Sequence, residues 1–248
     1  MQLSSQTRAT PAPCSNPPLR HLAVIPDGNR RWARDRGLSA AEGHWRGGER
    51  SMELLDWCRG EAEIEVVTMW AMSIENYEER LPAEVESGLP LLAEFTRQVA
   101  AGGRWRIGLV GDLDLLPSRL ADELRDYRDQ SSTVSGPLVN MAVAYSGGNE
   151  IARAVEKLLR SRQQNGGTLL ADERVDAAAL AGHLDTAGLP DLDLVVRTSG
   201  ETRLSGFMPW QAMHAELYFT PVLWPDFDED EFRKALEYYR GRQRRHGK

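Results

Sequence analysis

Six short apolar runs recur along the chain, at residues 21–26 (HLAVIP), 65–71 (EVVTMWA), 106–110, 138–144, 192–197 and 215–220. The segments between them show helical spacing. Residues 43–59 carry Leu54, Leu55 and Cys58 on one side, and from residue 82 onward Val85, Leu89, Leu92, Phe95 and Val99 form an apolar stripe. Further helices are expected over 117–130, 147–163, 175–184 and 228–245, with Pro90 kinking the second and Asn165-Gly166-Gly167 making a flexible break. Strands that are apolar throughout are buried on both faces, and strands separated by helices pair in parallel through crossovers. The pattern therefore predicts an α/β fold, a single domain with a central, mostly parallel six-stranded sheet flanked by helices.

Composition removes several classes. The 248 residues, 41% of them hydrophobic, suffice for one real core. A net charge of -7 argues against a nucleic-acid partner, which calls for a basic face. Cys14 and Cys58 are too few for a disulfide framework or a thiolate metal site, and a reducing, cytoplasmic setting is expected. No apolar run approaches the roughly 18 residues of a membrane span, so membrane contact is at most peripheral. Residues 1–18, rich in Ser, Thr and Pro and without an apolar core, read as a flexible tail rather than a secretory signal, leaving 19–248 as the folded domain. Lysine occurs only at Lys157, Lys234 and Lys248, so nearly all positive charge is arginine, whose fork matches phosphate oxygens.

In a parallel sheet, ligands sit at the carboxyl ends of strands. Three polar segments fall there: Asp27 to Arg31, Ser73 to Tyr77, and Arg197 to Ser205. In Asp27-Gly28-Asn29-Arg30-Arg31-Trp32, Gly28 permits unusual backbone angles, the N–H groups ahead of a helix make an anion nest, and a carboxylate beside a diphosphate suits a bridging Mg2+. A capped turn with solvated arginines would leave the same six residues. Arg197-Thr198-Ser199-Gly200-Glu201-Thr202-Arg203-Leu204-Ser205 suits a second diphosphate, or a polar surface loop. Glu216, inside an otherwise apolar strand, needs either a metal or an arginine partner. Asn76 fits a proton relay or an ordinary turn.

Taken together, these blocks resemble the cis-prenyltransferase (undecaprenyl diphosphate synthase-like isoprenyl transferase) family. Matching residues are Asp27-Gly28-Asn29, Arg31-Trp32-Ala33, Gly43-His44, Ser73 with Glu75-Asn76, Arg197-Thr198, Gly200-Glu201, Arg203 with Ser205, Trp210-Gln211, Ala215-Glu216-Leu217-Tyr218-Phe219 and Leu223-Trp224-Pro225-Asp226-Phe227. They run in order along the chain beyond the tail. The resemblance implies a Mg2+-dependent transferase joining isopentenyl diphosphate to an allylic diphosphate to give a Z-configured polyprenyl diphosphate, with an apolar tunnel for the growing chain and a homodimeric state. It implies Asp27 as the metal-handling carboxylate, with Gly28, Asn29, Arg30, Arg31 and Trp32 around the allylic diphosphate. Arg197, Arg203 and Ser205 hold the diphosphate of isopentenyl diphosphate, and Asn76 accepts the proton. His44, Ser73, Glu75 and Tyr77 line the substrate region. Glu216 stands as a second metal carboxylate, in surroundings shared with a neighbouring subunit.

Three positions depart from the family's pattern: Ala40 and Glu79 stand where arginine is usual, and Tyr145-Ser146-Gly147-Gly148 lacks a final arginine. The first two remove positive charge near the expected allylic diphosphate. Arg34, Arg36, Arg46 and Arg80 are candidates to replace it, and a short or unusual product is expected. Two rival readings remain: a noncatalytic partner subunit of the same fold, and an α/β-hydrolase with Ser146 at a nucleophile elbow.

Overall fold

The computed structural model describes residues 17–79, 82–164 and 175–242, without the side chains at 76, 78, 79 and 82–87. The expected tail up to residue 16, the break at Asn165-Gly166-Gly167, Arg80 and the side chains of Asn76, Glu79 and Val85 lie outside them. Six strands form one sheet: β1 (His21–Ile25), β2 (Val66–Trp70), β3 (Arg106–Val110), β4 (Leu138–Ala142), β5 (Leu194–Arg197) and β6 (Glu216–Phe219). Its order is β3-β4-β2-β1-β5-β6, and every pair is parallel. The expected mostly parallel sheet is thus wholly so.

The helices are α1 (Asn29–Arg34), α2 (Ala40–Gly60), α3 (Ile74–Glu79), α4 (Pro82–Gly102), α5 (Ser118–Ser131), α6 (Gly147–Gln164), α7 (Ala177–Ala181) and α8 (Glu229–Gly241). Ser39 starts α2 with a reciprocal capping box to Glu42. Helix α4 runs on through Pro90. Strand β1 shows why both sheet faces are covered. Leu22 and Val24 join the core that includes Leu54, Leu55, Phe232 and Leu236 from α2 and α8. Ala23 and Ile25 face a second cluster with Val195, Tyr145 and Phe207.

Two short helices were not expected. Helix α1 follows Asp27 directly, and α3 takes up the segment read as a strand end, so Glu75, Asn76 and Tyr77 stand on a helix. Among the described residues no helix is long and apolar enough to cross a membrane.

The chain lays β1 in the middle of the sheet, winds outward through β2 to one side, then places β5 and β6 on the other. The crevice at such a reversal opens at the carboxyl ends of the central strands. Those ends lead into Ser73, Asp27 and Arg197, on the adjacent strands β2, β1 and β5.

Candidate active site

Asp27 sits two residues past β1, where Ile25 pairs with Arg197 in register. That register brings the first and third polar segments into contact, Asp27 and Arg197 lying 170 residues apart in sequence. Arg197 is almost wholly buried and donates from Nη2 to Asp27 Oδ2 at 2.9 Å. Its Nη1 donates to Ser205 Oγ at 2.9 Å and to the Arg203 carbonyl. One guanidinium thus joins the Asp27 loop to the loop carrying Arg203 and Ser205. Arg197 Nε is buried with no partner among the described residues, a costly state for a charged donor unless a ligand meets it.

The Asp27 backbone is fixed as firmly. Thr198 Oγ1 accepts from the Asp27 N–H at 2.9 Å and donates to the Asp27 carbonyl at 2.6 Å. The Trp224 N–H also donates to that carbonyl, at 3.0 Å. Next comes Gly28, at φ +108°, where a Cβ would come within 2.9 Å of Leu223. The distant run Leu223 to Phe227 therefore acts as a brace for α1. Its Asp226 accepts from Trp32 Nε1 at 2.7 Å and pairs with Arg36 at 3.1 Å, while Trp224 Nε1 donates to the Gly47 carbonyl at 2.8 Å. Helix α2 lies so close to α1 that a Cβ at Gly43 or Gly47 would come within 2.4 Å of an Asn29 oxygen.

These groups share one cavity of about 690 Å3. Its lining includes Asp27, Asn29, Arg30, His44, Ser73, Glu75, Arg197, Arg203 and Ser205 at the polar part, and Met69, Leu89, Leu92, Phe95 and Met141 at the apolar part. Nine of the expected site residues thus converge. Ser73 is held by a bridge to Tyr145 at the end of β4. The loop after β5 carries positive φ at Ser199, Gly200, Ser205, Gly206 and Met208. Phe207 anchors it, buried between Trp70 (rings 5.1 Å apart, stacked) and Tyr145 (6.0 Å, edge-on).

Residues 25–247 match the family model described as "Putative undecaprenyl diphosphate synthase". The chain belongs to this prenyltransferase family. It is similar to isoprenyl transferase 1 of Streptomyces avermitilis, 44% identical over 92% of this chain and 88% of the relative. It is also similar to a (2Z,6E)-farnesyl diphosphate synthase of Thermobifida fusca, 46% identical over 93% of this chain and 91% of that one. Among solved structures, lavandulyl diphosphate synthase from Lavandula x intermedia, in complex with dimethylallyl diphosphate, superposes with a TM-score of 0.85 at 33% identity, covering 92% of this chain and 98% of the other.

Not every residue expected at the prenyltransferase site reaches the cavity. Glu216 pairs with Leu194 at the amino end of β6, three residues down the register from Arg197 and Phe219. That is about 10 Å below the Ile25–Arg197 level, itself two residues short of Asp27. The Glu216 carboxylate accepts from Arg242 Nε at 3.0 Å, so within one chain its partner is an arginine. Trp32 faces Asp226 and carries Arg36 over its ring at 4.5 Å, a brace rather than a cavity wall. Tyr77 packs near Ile74 and Leu92. Of the four arginines that could replace the missing charge, the three described ones have carboxylate partners: Arg34 with Asp35, Arg36 with Asp226, Arg46 with Glu49 and Glu53. Ser146 stands one residue before α6 and outside the cavity lining, so it offers no nucleophile there. Thr198 was quoted in a motif without a role. Only the three-dimensional contact with Asp27, through a hydroxyl that any polar loop could carry, reveals one.

Proposed function

We propose that this enzyme condenses isopentenyl diphosphate with a short allylic diphosphate, geranyl diphosphate foremost, to give a short Z-configured prenyl diphosphate. One observation carries the reading: Asp27 and the Arg197–Arg203–Ser205 loop meet at the polar part of a single cavity whose remainder is apolar. The name of the Thermobifida fusca relative favours a short starter, as does a described lining whose only arginines are Arg30, Arg197 and Arg203.

Mg2+ usually takes one or two carboxylates together with phosphate oxygens. Asp27 uses only Oδ2 on a described residue and keeps 35% of its side-chain surface, and neither here nor elsewhere among the described residues do three or more His, Cys, Asp or Glu cluster into a self-sufficient metal site. This donor set fits a metal that arrives with a diphosphate. Held there, Mg2+ would neutralise the departing diphosphate. Gly28 to Arg31, at the start of α1, would cradle the allylic diphosphate, while Arg203, Ser205 and the unpaired Nε of Arg197 receive that of isopentenyl diphosphate. The allylic C–O bond breaks with its electron pair leaving on diphosphate. The alkene of isopentenyl diphosphate then bonds to the allylic carbon and loses a proton. Fixed cationic donors lower the barrier where charge develops, and the apolar walls exclude water. Asn76, on α3 three residues beyond Ser73, would accept that proton.

The test is incubation with labelled isopentenyl diphosphate, Mg2+ and dimethylallyl, geranyl, farnesyl or geranylgeranyl diphosphate, with product masses read afterwards. Geranyl diphosphate should give one addition. Asp27→Ala should lower turnover by at least about a hundredfold, the scale for losing an electrostatic group at a reacting centre. Product from dimethylallyl diphosphate alone would replace the reading with a coupling like the one named for the lavender structure. No turnover with any starter would leave a noncatalytic partner subunit.

A further inference from the structure

Resting on that reading, the contacts around Asp27 assign a role that the resemblance does not: we propose that Thr198, together with Arg197, is a positioning residue that sets metal affinity at Asp27. Asp27 lies in a loop after β1 and cannot fix its own carboxylate. Its N–H and its carbonyl are both bound by the single hydroxyl of Thr198, at 2.9 and 2.6 Å, and Thr198 is fully buried. The carboxylate is turned by Arg197 Nη2 onto Oδ2. Backbone and side chain are therefore clamped from the same two residues of β5's carboxyl end. The remaining oxygen is the one available to a cation.

The hydroxyl chemistry is complete: one proton goes to the carbonyl, and one lone pair receives the amide. Replacing it with a methyl group would leave the Asp27 amide only its 2.9 Å bond to the Ile25 carbonyl and loosen the loop's hold from β5. The carbonyl keeps its bond from Trp224, so the loop would loosen without detaching. Partners that orient a metal ligand commonly account for about 10- to 100-fold in metal affinity or activity. Arg197 also reaches the second diphosphate loop through Ser205, so the clamp links the allylic side to the isopentenyl side through one guanidinium.

The experiment compares wild type, Thr198→Val, Thr198→Ser and Arg197→Lys. Mn2+ binding is followed by electron paramagnetic resonance in the presence of inorganic diphosphate, alongside the Mg2+ dependence of turnover. Thr198→Val should weaken Mn2+ binding and raise the half-saturating Mg2+ by about tenfold, with the KM for isopentenyl diphosphate little changed. Thr198→Ser keeps the hydroxyl and should recover most of the loss. Arg197→Lys keeps the charge but loses the fork, and should also weaken Mn2+ binding. If Thr198→Val does not fold, as read by circular dichroism, the serine and lysine variants decide. Wild-type Mn2+ affinity in both Thr198→Val and Arg197→Lys, or serine as impaired as valine, overturns the proposal. An inactive wild type that binds Mn2+ normally would instead count against the condensation reading.

Discussion

At Gly28 the backbone itself constrains what residue can stand beside the reacting carboxylate. A left-handed φ costs an L-residue roughly 1–2 kcal/mol, and a Cβ there meets Leu223 at 2.9 Å. Gly28→Ala should therefore lower the thermal midpoint by about 2–4 °C per kcal/mol lost and raise the KM of the allylic substrate. An unchanged midpoint in a melting scan would show that Leu223 yields without cost. The need for glycine here was legible, because a carboxylate, a glycine and two arginines after a strand form a compact local pattern. Thr198 was not legible, since its role comes from residue 27 across the β1–β5 pairing. Glu216 shows the opposite limit. Its cost inside an apolar strand was plain, yet the contact with Arg242, which arrives just past α8, is one that no spacing reveals.

At the level of elements, the sheet carries a buried polar chain with a pH consequence. His21 Nδ1 lies 2.9 Å from the Pro190 carbonyl, which can only accept, so Nδ1 bears the proton. Nε2 then accepts from Thr68 at 2.8 Å. Burial pushes the His21 pKa down, against the smaller opposing pulls of the Pro190 carbonyl, Asp193 and Asp191. The unfolded chain takes up a proton near pH 6.5 while the folded one resists to lower pH. Stability contributed by the neutral ring is therefore present above that value and lost as pH falls below it, by at most about 1.4 kcal/mol per pH unit for one group. The urea midpoint should drop between pH 7.5 and pH 5.5, and His21→Gln should show a shallower drop. An equal slope in the variant would assign the acid sensitivity elsewhere. All six strands and the longer helices were legible from their apolar spacing, with ends within a few residues. Helices α1 and α3 were not, because six residues hold too few turns for a periodic signal, and polar residues make up most of both.

For the whole molecule, product length follows from how the sheet and α4 enclose the cavity. The α/β class and the placement of the polar segments at strand ends were legible, since crossover connections force both. Strand order and cavity shape were not, because they depend on how distant elements pack. With the proposed chemistry at Asp27 and Arg197, the growing chain would extend toward the apolar walls: Met69 on β2, Met141 on β4, and Leu89, Leu92 and Phe95 on α4. Phe95 is half-buried and packs against both adjoining core clusters, which makes it a wall between the cavity and the core behind it. Trimming it to alanine removes a ring where a chain end would otherwise stop, and the space left behind need not collapse, since large-to-small changes relax only partly. Phe95→Ala should thus shift the product toward one or more additional isoprene units, at a stability cost below the roughly 3–5 kcal/mol of a fully buried ring. Mass analysis of products from geranyl diphosphate reads this directly. An unchanged product from a folded, active variant would place the limiting wall at another side chain, and a longer product would show that this cavity, rather than release from the diphosphate loops, sets the length.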